Sequence, residues 1–323
     1  MRVLLYGSRG WIGRMILSKW SSLYPEDTFY CSNTRLNFNN IEEIKKDLIN
    51  IDRVFISIGR TYGYDKNGDL INNIDYLEKH LDENLNDNLS MPLLMAMLCK
   101  ERNIHLSYIG TGCIFSRNTR NNDYEYKETD VPDFFGSSYS VVKGVTDNFM
   151  KQFDNVLNFR IRMPIINSHH SRNFITKLLN YDKICNYPNS MTYLPDMIPI
   201  MIKMCRNSST GTYNTVNKGV ISHKEILDMY NEMYTDHVHE YKLIEEDNLN
   251  TLLKSKRSNN VLVSDKLDKL NECQLRDIKE CVREAIKEMG YLIKNLPADD
   301  VLPSVVVIFE EKCKEGYIYD NYR

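Results

Sequence analysis

Arg2-Val3-Leu4-Leu5-Tyr6-Gly7-Ser8-Arg9-Gly10-Trp11-Ile12-Gly13 is the stretch on which the fold turns. A short apolar run reads as a buried strand and passes directly into glycines spaced GxxGxxG, after which Met15-Ile16-Leu17 continue as a helix. Glycines in such a turn let the backbone bend sharply and come close to a pyrophosphate. The phosphate then sits at the helix N-terminus, where free N–H groups and the helix dipole favour an anion. Three glycines alone are weak evidence, and the plain alternative is an ordinary turn between strand and helix. Their place between the two elements predicts a dinucleotide site, with Gly7, Arg9, Gly10, Trp11, Ile12 and Gly13 around the cofactor.

Working outward, Thr28-Phe29-Tyr30-Cys31 reads as the second strand. An NAD site would show an acidic residue just after it, to bond the ribose 2′-hydroxyl. Here Ser32-Asn33-Thr34-Arg35 follows, and Arg9 lies inside the glycine turn. Arginine suits a 2′-phosphate, so the expected cofactor is NADPH, with Arg9 and Arg35 as its candidate ligands. The bland reading of both is a surface arginine. Residues 41–48 read as a helix, and Arg53-Val54-Phe55-Ile56-Ser57-Ile58-Gly59 as a buried strand that brings Gly59 and Thr61 over the cofactor. Residues 62–72 are polar and read as a loop, an insertion beside the cofactor site. A long helix is expected over 76–99, broken at Met91-Pro92, with Asn88 in its middle as a surface amide. Alternating strands and helices behind a glycine turn imply an α/β, Rossmann-like doubly wound parallel sheet with a smaller C-terminal substrate lobe. The expected division is residues 1–165 for the cofactor and 166–289 for a partly interleaved substrate lobe, leaving 290–323 as an extension without an assigned role.

The chemistry concentrates in Ser107-Tyr108-Ile109-Gly110-Thr111-Gly112-Cys113-Ile114-Phe115, answered by Tyr139-Ser140-Val141-Val142-Lys143. The first reads as a strand entering a tight turn. In the second, Tyr139 and Lys143 stand four apart and share one helix face. A phenol, an ammonium and the Thr111 hydroxyl make a proton-delivery device for a carbonyl. A phenol's ordinary pKa is about 10, and a neighbouring positive charge favours its ionised form. An isolated YxxxK is most often a solvated helix face; the glycine turn upstream gives this one its weight.

Composition narrows the class. The 323 residues, 42% hydrophobic, suffice for a large core and a two-lobed unit. A formal net charge of -3 argues against a nucleic-acid partner. No apolar run reaches the roughly 18 residues of a membrane span, and the opening run is too short for a signal peptide. The 8 cysteines are scattered without a CxxC pair or a His/Cys cluster, so no metal is expected. A reduced, cytoplasmic compartment is the simplest expectation, and a homodimer is open.

The combination resembles the extended short-chain dehydrogenase/reductase family in its nucleotide-sugar branch: GxxGxxG at 7–13, then Thr111, Tyr139 and Lys143 in family order. Narrower blocks are Gly110-Thr111-Gly112-Cys113-Ile114-Phe115, Arg160-Ile161-Arg162-Met163-Pro164-Ile165, Arg172-Asn173-Phe174-Ile175-Thr176-Lys177, Pro188-Asn189-Ser190-Met191-Thr192, Val220-Ile221-Ser222-His223-Lys224-Glu225-Ile226-Leu227 and Arg257-Ser258-Asn259-Asn260. Over residues 1 to about 285 these are similar to the bifunctional 3,5-epimerase/4-reductases that finish UDP-L-rhamnose synthesis.

The resemblance implies two reactions in one pocket on UDP-4-keto-6-deoxy-D-glucose. The C4 ketone acidifies the protons on C3 and C5, and a cysteine with a lysine or histidine moves them; the matching positions are Cys113 and Lys177. A thiol's reference pKa near 8.5 is brought toward neutral by a nearby cation. Lys177 is then either the complementary acid or the group that holds the cysteine as thiolate. The bland readings are a buried small hydrophobe and a solvated lysine. Reduction follows, with hydride from NADPH, a proton from Tyr139, a hydrogen bond from Thr111, and Lys143 lowering the tyrosine's pKa while holding the nicotinamide ribose. By the same resemblance Asn173 contacts diphosphate or sugar and Arg257 pairs with the diphosphate, against readings as a capping amide and a surface ion pair; Arg162 reads as a buried structural arginine.

Some features depart from the pattern. Asn167-Ser168-His169-His170-Ser171 lacks the acidic/proline sequence of the family, and its adjacent histidines read as loop residues rather than metal ligands. Lys177 stands where fucose-type relatives carry histidine. The run Val301-Leu302-Pro303-Ser304-Val305-Val306-Val307-Ile308-Phe309 lies beyond the resemblance. Competing expectations are a reductase acting alone on a UDP- or dTDP-linked 4-keto sugar and a non-catalytic NADP-binding regulatory subunit. Cys113 with Lys177 speaks against the first, and the complete Thr/Tyr/Lys set against the second. A 4,6-dehydratase would want an acidic pair where Gly112-Cys113 stands.

Overall fold

The opening run forms β1 (Arg2–Tyr6) in the computed structural model, which describes residues 1–117, 124–270 and 275–290. Val3 and Leu5 face one core while Leu4 and Tyr6 face another, as the two-residue period of a strand requires. Buried on both faces, the strand reads as a continuous apolar run. With β2 (Thr28–Cys31), β3 (Arg53–Ile56), β4 (His105–Thr111), β5 (Val156–Ile161) and β6 (Gly211–Asn214) it builds a 6-stranded sheet. The order is β6-β5-β4-β3-β1-β2, and every adjacent pair is parallel.

Helices cover both faces. Ile16 and Trp20 of α1 (Trp11–Leu23) pack on one side with Met197 and Met201 of the helix Leu194–Arg206. On the other lie Ile44 of α2 (Ile41–Asp47), Met95 of α3 (Met91–Glu101) and Met150 of α4 (Ser138–Met150). The sheet is therefore doubly wound and Rossmann-like, as the alternation of elements predicts. The chain leaves β1 toward β2 on one side and returns to β3 on the other, so a crevice opens at the carboxyl ends of β1 and β3. A third core joins Ile175 and Leu178 of α5 (Phe174–Leu178), Ile226 and Leu227 of α6 (His223–Met233), and Val282 and Ile286 of α7 (Ile278–Met289). Ser222 and Glu225 close the start of α6 as a reciprocal capping box.

Two expectations are corrected. Residues 62–72 are not a plain loop: Gly63–Tyr64 and Leu70–Ile71 pair antiparallel, and the Asp65 carboxylate accepts from the N–H groups of Asn67 and Asp69 within the turn. Nor is 76–99 one helix. It comprises a 3-10 segment (Ile74–Lys79), a short helix (Leu81–Leu85), a wide π turn (Asn86–Ser90) and then α3. Pro92 has no N–H to offer the Asn88 carbonyl, and that oxygen instead accepts the Thr146 hydroxyl of α4.

Residues 118–123 lie outside the described residues; just past them Glu125–Tyr126 pairs with Val261–Leu262. Residues 291–323, with the apolar run at 301–309, lie outside them as well. Among the described residues no helix is long and apolar enough to cross a membrane.

Candidate active site

At the glycine turn, Gly7 has φ +85, a backbone state that L side chains rarely adopt. A Cβ on Gly13 would lie 2.0 Å from the Gly7 carbonyl oxygen, so the helix can pack this close only on glycine. Gly10 precedes α1, and no side chain caps the helix there. A pyrophosphate fits this arrangement: close backbone, free N–H groups, and no acidic residue in the first turn. Trp11 stacks on His170 across the turn, ring centroids 5.1 Å apart, and Ile12 is half-buried beside it. Arg9 is exposed and has no ion pair among the described residues.

Farther along the sheet edge, Asn33, Thr34, Arg35, Leu36, Ile58 and Asp87 line a crevice of about 390 Å³. Arg35 is already engaged there: one of its terminal nitrogens donates to both Asp87 oxygens at 2.8 and 2.9 Å, and Asp87 also accepts from Arg60. Gly59 and Thr61 border the loop that follows β3. Asn88, expected at the surface, is fully buried and fixes this loop, accepting from the Arg60 N–H at 3.1 Å and donating to the Arg60 carbonyl at 2.9 Å. Nothing local in the sequence marks it.

The chemical groups meet at the end of β4. Thr111 closes the strand, and its hydroxyl accepts the Cys113 N–H at 3.1 Å, turning the half-buried thiol toward α4. Tyr139 packs there with Tyr76 and Leu77, and with Ile71, Ile74 and Cys113 at the edge of the cluster. Ser137 caps α4 through the Ser140 N–H and so fixes the turn that presents Tyr139. The tyrosine's charge behaviour is opposite to expectation. Burial first, then the neighbouring Cys113, raise its pKa, while a hydrogen bond with Thr111 works against them. Lys143 does not help ionise it: its ammonium donates to Tyr108 Oη and Ile109 O and lies 4.4 Å over the Tyr108 ring. Burial lowers Lys143 to about 7, against the pull of Asp147. Tyr139 therefore holds its proton at neutral pH, the state of a proton donor.

The substrate-side residues scatter around this centre. Lys177 Nζ lies 3.4 Å from the Asn72 carbonyl, and its pKa is lowered by burial and then by Arg172 and Arg257. Arg257 donates to Asp75 at 2.9 Å and to the Ser255 carbonyl at 2.7 Å. Asn173 is fully buried and occupied by the chain itself: Oδ1 accepts from the Ile175 N–H, and Nδ2 donates to the Ile166 and Ser168 carbonyls. Its geometry is that of a capping amide that ties down the loop before α5. Arg162 is buried just past β5 and reaches Cys113, Asn189 and Ser258.

Parallel sheet, glycine turn and the Thr111/Tyr139/Lys143 set define a short-chain dehydrogenase/reductase of the extended kind. No family model matches the chain. It is 34% identical over 292 residues to the bifunctional dTDP-4-dehydrorhamnose 3,5-epimerase/dTDP-4-dehydrorhamnose reductase of Arabidopsis thaliana, which covers 88% of this chain and 92% of the relative. The crystal structure of the UDP-rhamnose synthase from Acanthamoeba polyphaga mimivirus superposes with a TM-score of 0.81 at 44% identity, over 90% of this chain and 99% of that one. The chain belongs to the bifunctional nucleotide-sugar 3,5-epimerase/4-reductases of that superfamily. A dTDP-4-dehydrorhamnose reductase from Bacillus anthracis, solved in complex with NADP, shares the fold at 18% identity and a TM-score of 0.69.

Proposed function

We propose that the chain converts UDP-4-keto-6-deoxy-D-glucose into UDP-L-rhamnose in one pocket, epimerising C3 and C5 before reducing C4. The observation that carries this reading is the meeting of a hydroxyl, a thiol and a protonated phenol around one buried point: Thr111, Cys113 and Tyr139. Cys113 takes a proton from the carbon beside the ketone, and Lys177 returns one on the opposite face. Lys177 suits that exchange because burial and two arginines bring its pKa down from the ordinary lysine range. The glycine turn, with Arg9 and Arg35 toward the 2′-phosphate, would hold NADPH, which when bound would supply the hydride for C4. Tyr139 gives the forming alkoxide its proton, Thr111 orients the carbonyl, and Lys143 turns from Tyr108 to the nicotinamide ribose. Arg257 exchanges Asp75 for the substrate diphosphate. Epimerisation comes first because reduction removes the ketone that acidifies C3 and C5.

Residues 166–289 form the substrate lobe in this reading. The 6 unbridged cysteines among the described residues suit a cytoplasmic site of action. The sequence leaves a homodimer open, and light scattering on the same preparation settles it. The deciding experiment is NMR of the purified protein with the UDP-linked substrate and NADPH in heavy water. A rhamnose-configured product carrying deuterium at C3 and C5 supports the reading. A reduced product without deuterium leaves a reductase alone; activity only with the dTDP-linked substrate moves the nucleotide assignment; bound cofactor without turnover on either overturns catalysis altogether.

A further inference from the structure

Arg160 and Arg162 stand two residues apart at the end of β5, both buried, and their surroundings differ in one respect. Arg160 holds the Asp147 carboxylate with Nε at 2.9 Å and Nη2 at 2.6 Å. Arg162 has no carboxylate among the described residues. Its Nη2 donates to Asn189 Oδ1 and the Ser258 carbonyl; its Nη1 lies 3.3 Å from Ser258 Oγ and 3.4 Å from Cys113 Sγ. Its Nε has no hydrogen-bond partner among the described residues.

A guanidinium keeps its proton inside proteins, and one removed from water is costly unless an anion faces it. The ionisable groups around Arg162 and the sulfur can be named element by element. From the start of α6 comes His223, whose Nε2 is buried without a partner and whose pKa burial and then Arg162 lower to about 4, so it is neutral. From α4 comes Tyr139, which keeps its proton. From the turn after β4 comes Cys113, among the described residues the one group in contact that can carry negative charge.

We infer that Arg162 is a positioning residue that holds the Cys113 sulfur in its thiolate form, ready to act as the base of epimerisation. The catalytic meaning rests on the reading proposed above; the charge state does not. The assignment also separates two roles the sequence leaves open for Lys177: with Arg162 on the sulfur, Lys177 is the acid. In the step, the C–H bond at C5 or C3 breaks and an S–H bond forms, while the electron pair moves into the C4 carbonyl as an enolate. An N–H bond of the Lys177 ammonium then breaks as a C–H bond forms on the opposite face. Water takes the sulfur's proton and restores the amine's, which is the route by which deuterium enters.

The test needs no substrate. The full chain is alkylated with iodoacetamide from pH 5.5 to 9.5, and modification of the Cys113 peptide is followed by mass spectrometry, which sets the other cysteines aside. The absorbance near 240 nm is compared with Cys113→Ser. The expected wild-type rate is on its plateau by pH 7. Arg162→Lys keeps that profile, and Arg162→Met cuts the rate at pH 7 by about tenfold or more, since each unit of displacement is a factor of ten in thiolate. A wild-type rate still climbing through pH 8.5, as for a free thiol, overturns the inference without any variant having to fold. So does an Arg162→Met protein that binds NADPH and has an unchanged Cys113 profile. A chain whose Cys113 is a thiolate but which exchanges no deuterium upholds this inference and sinks the proposed function. Exchange with an ordinary thiol does the reverse.

Discussion

Tyr139 illustrates what a residue pattern conveys and what it leaves out. Four-residue spacing puts Lys143 on the same helix face but does not say which way the ammonium turns; Tyr108 of β4, 35 residues earlier in the chain, wins it. Burial first, and then Cys113, leave Tyr139 protonated, the correct state for quenching an alkoxide. Tyr139→Phe removes the proton donor and is expected to lower NADPH oxidation by about 10²–10⁴ while leaving deuterium wash-in at C3 and C5 intact. Cys113→Ser is expected to show the opposite split, reducing a pre-epimerised substrate without wash-in. Loss of both activities in either folded variant would end the separation of roles. Thr111, Cys113, Tyr139 and Lys177 can be singled out as candidates in the sequence because each sits in a local block, the roles of Cys113 and Lys177 coming from the resemblance. Arg162 was visible only as a buried arginine, since its lack of an acid depends on residues near 189 and 258 folding against it. Asn173 had two readings in the sequence, and its three bonds to its own loop give it the capping one.

Elements follow the same logic. β1 and β3 match their apolar runs because burial on both faces writes itself into consecutive residues, whereas β2, at the sheet edge, alternates exposed and half-buried residues. The segment before α3 does not, because a proline announces a break without stating how the preceding turn relaxes. The short helix before it buries Asn84 and the turn itself buries Asn88, which pins both polar atoms of the Arg60 backbone. Asn88→Ala orphans them, at an expected cost of about 1–3 kcal/mol, read as a lower denaturation midpoint at unchanged slope. It also loosens the loop bearing Gly59 and Thr61, so the KM for NADPH should rise. An unchanged midpoint would show that Arg60 finds other partners. The hairpin within 62–72 escaped the sequence for a simpler reason: strands of two residues have no period to read. Its neighbours show its reach. Tyr62 lies under the Arg172 guanidinium at 4.1 Å, Asn72 meets Lys177, and Asp75 meets Arg257.

For the whole molecule, alternating elements predicted a parallel sheet, but the order in which the strands lie depends on which way each crossover turns, and no local residue encodes that. The third core has a pH consequence. His223 starts α6 beside Phe174, ring centroids 5.1 Å apart, and burial followed by Arg162 depresses its pKa to about 4. The unfolded chain, with an ordinary histidine near 6.5, binds a proton below that pH that the folded chain refuses. Stability is then unaffected above pH 6.5 and falls as pH drops from 6.5 toward 4, by about 1.4 kcal/mol per unit from this group. His223→Gln should flatten the melting-temperature profile in that window; an equally steep fall would assign it to other groups.

The stack of Trp11 on His170 gives the molecule an optical reporter. The chain has 2 tryptophans. Trp20 is sealed in the core, its Nε1 donating to Asp27 at 2.9 Å, and supplies a constant emission. Trp11 sits half-covered in the glycine turn, the segment that would hold the cofactor's pyrophosphate. Titrating NADPH is expected to quench tryptophan fluorescence and sensitise nicotinamide emission, and Trp11→Phe should remove most of the change. The protein thus signals cofactor loading in its own light, before any sugar is added.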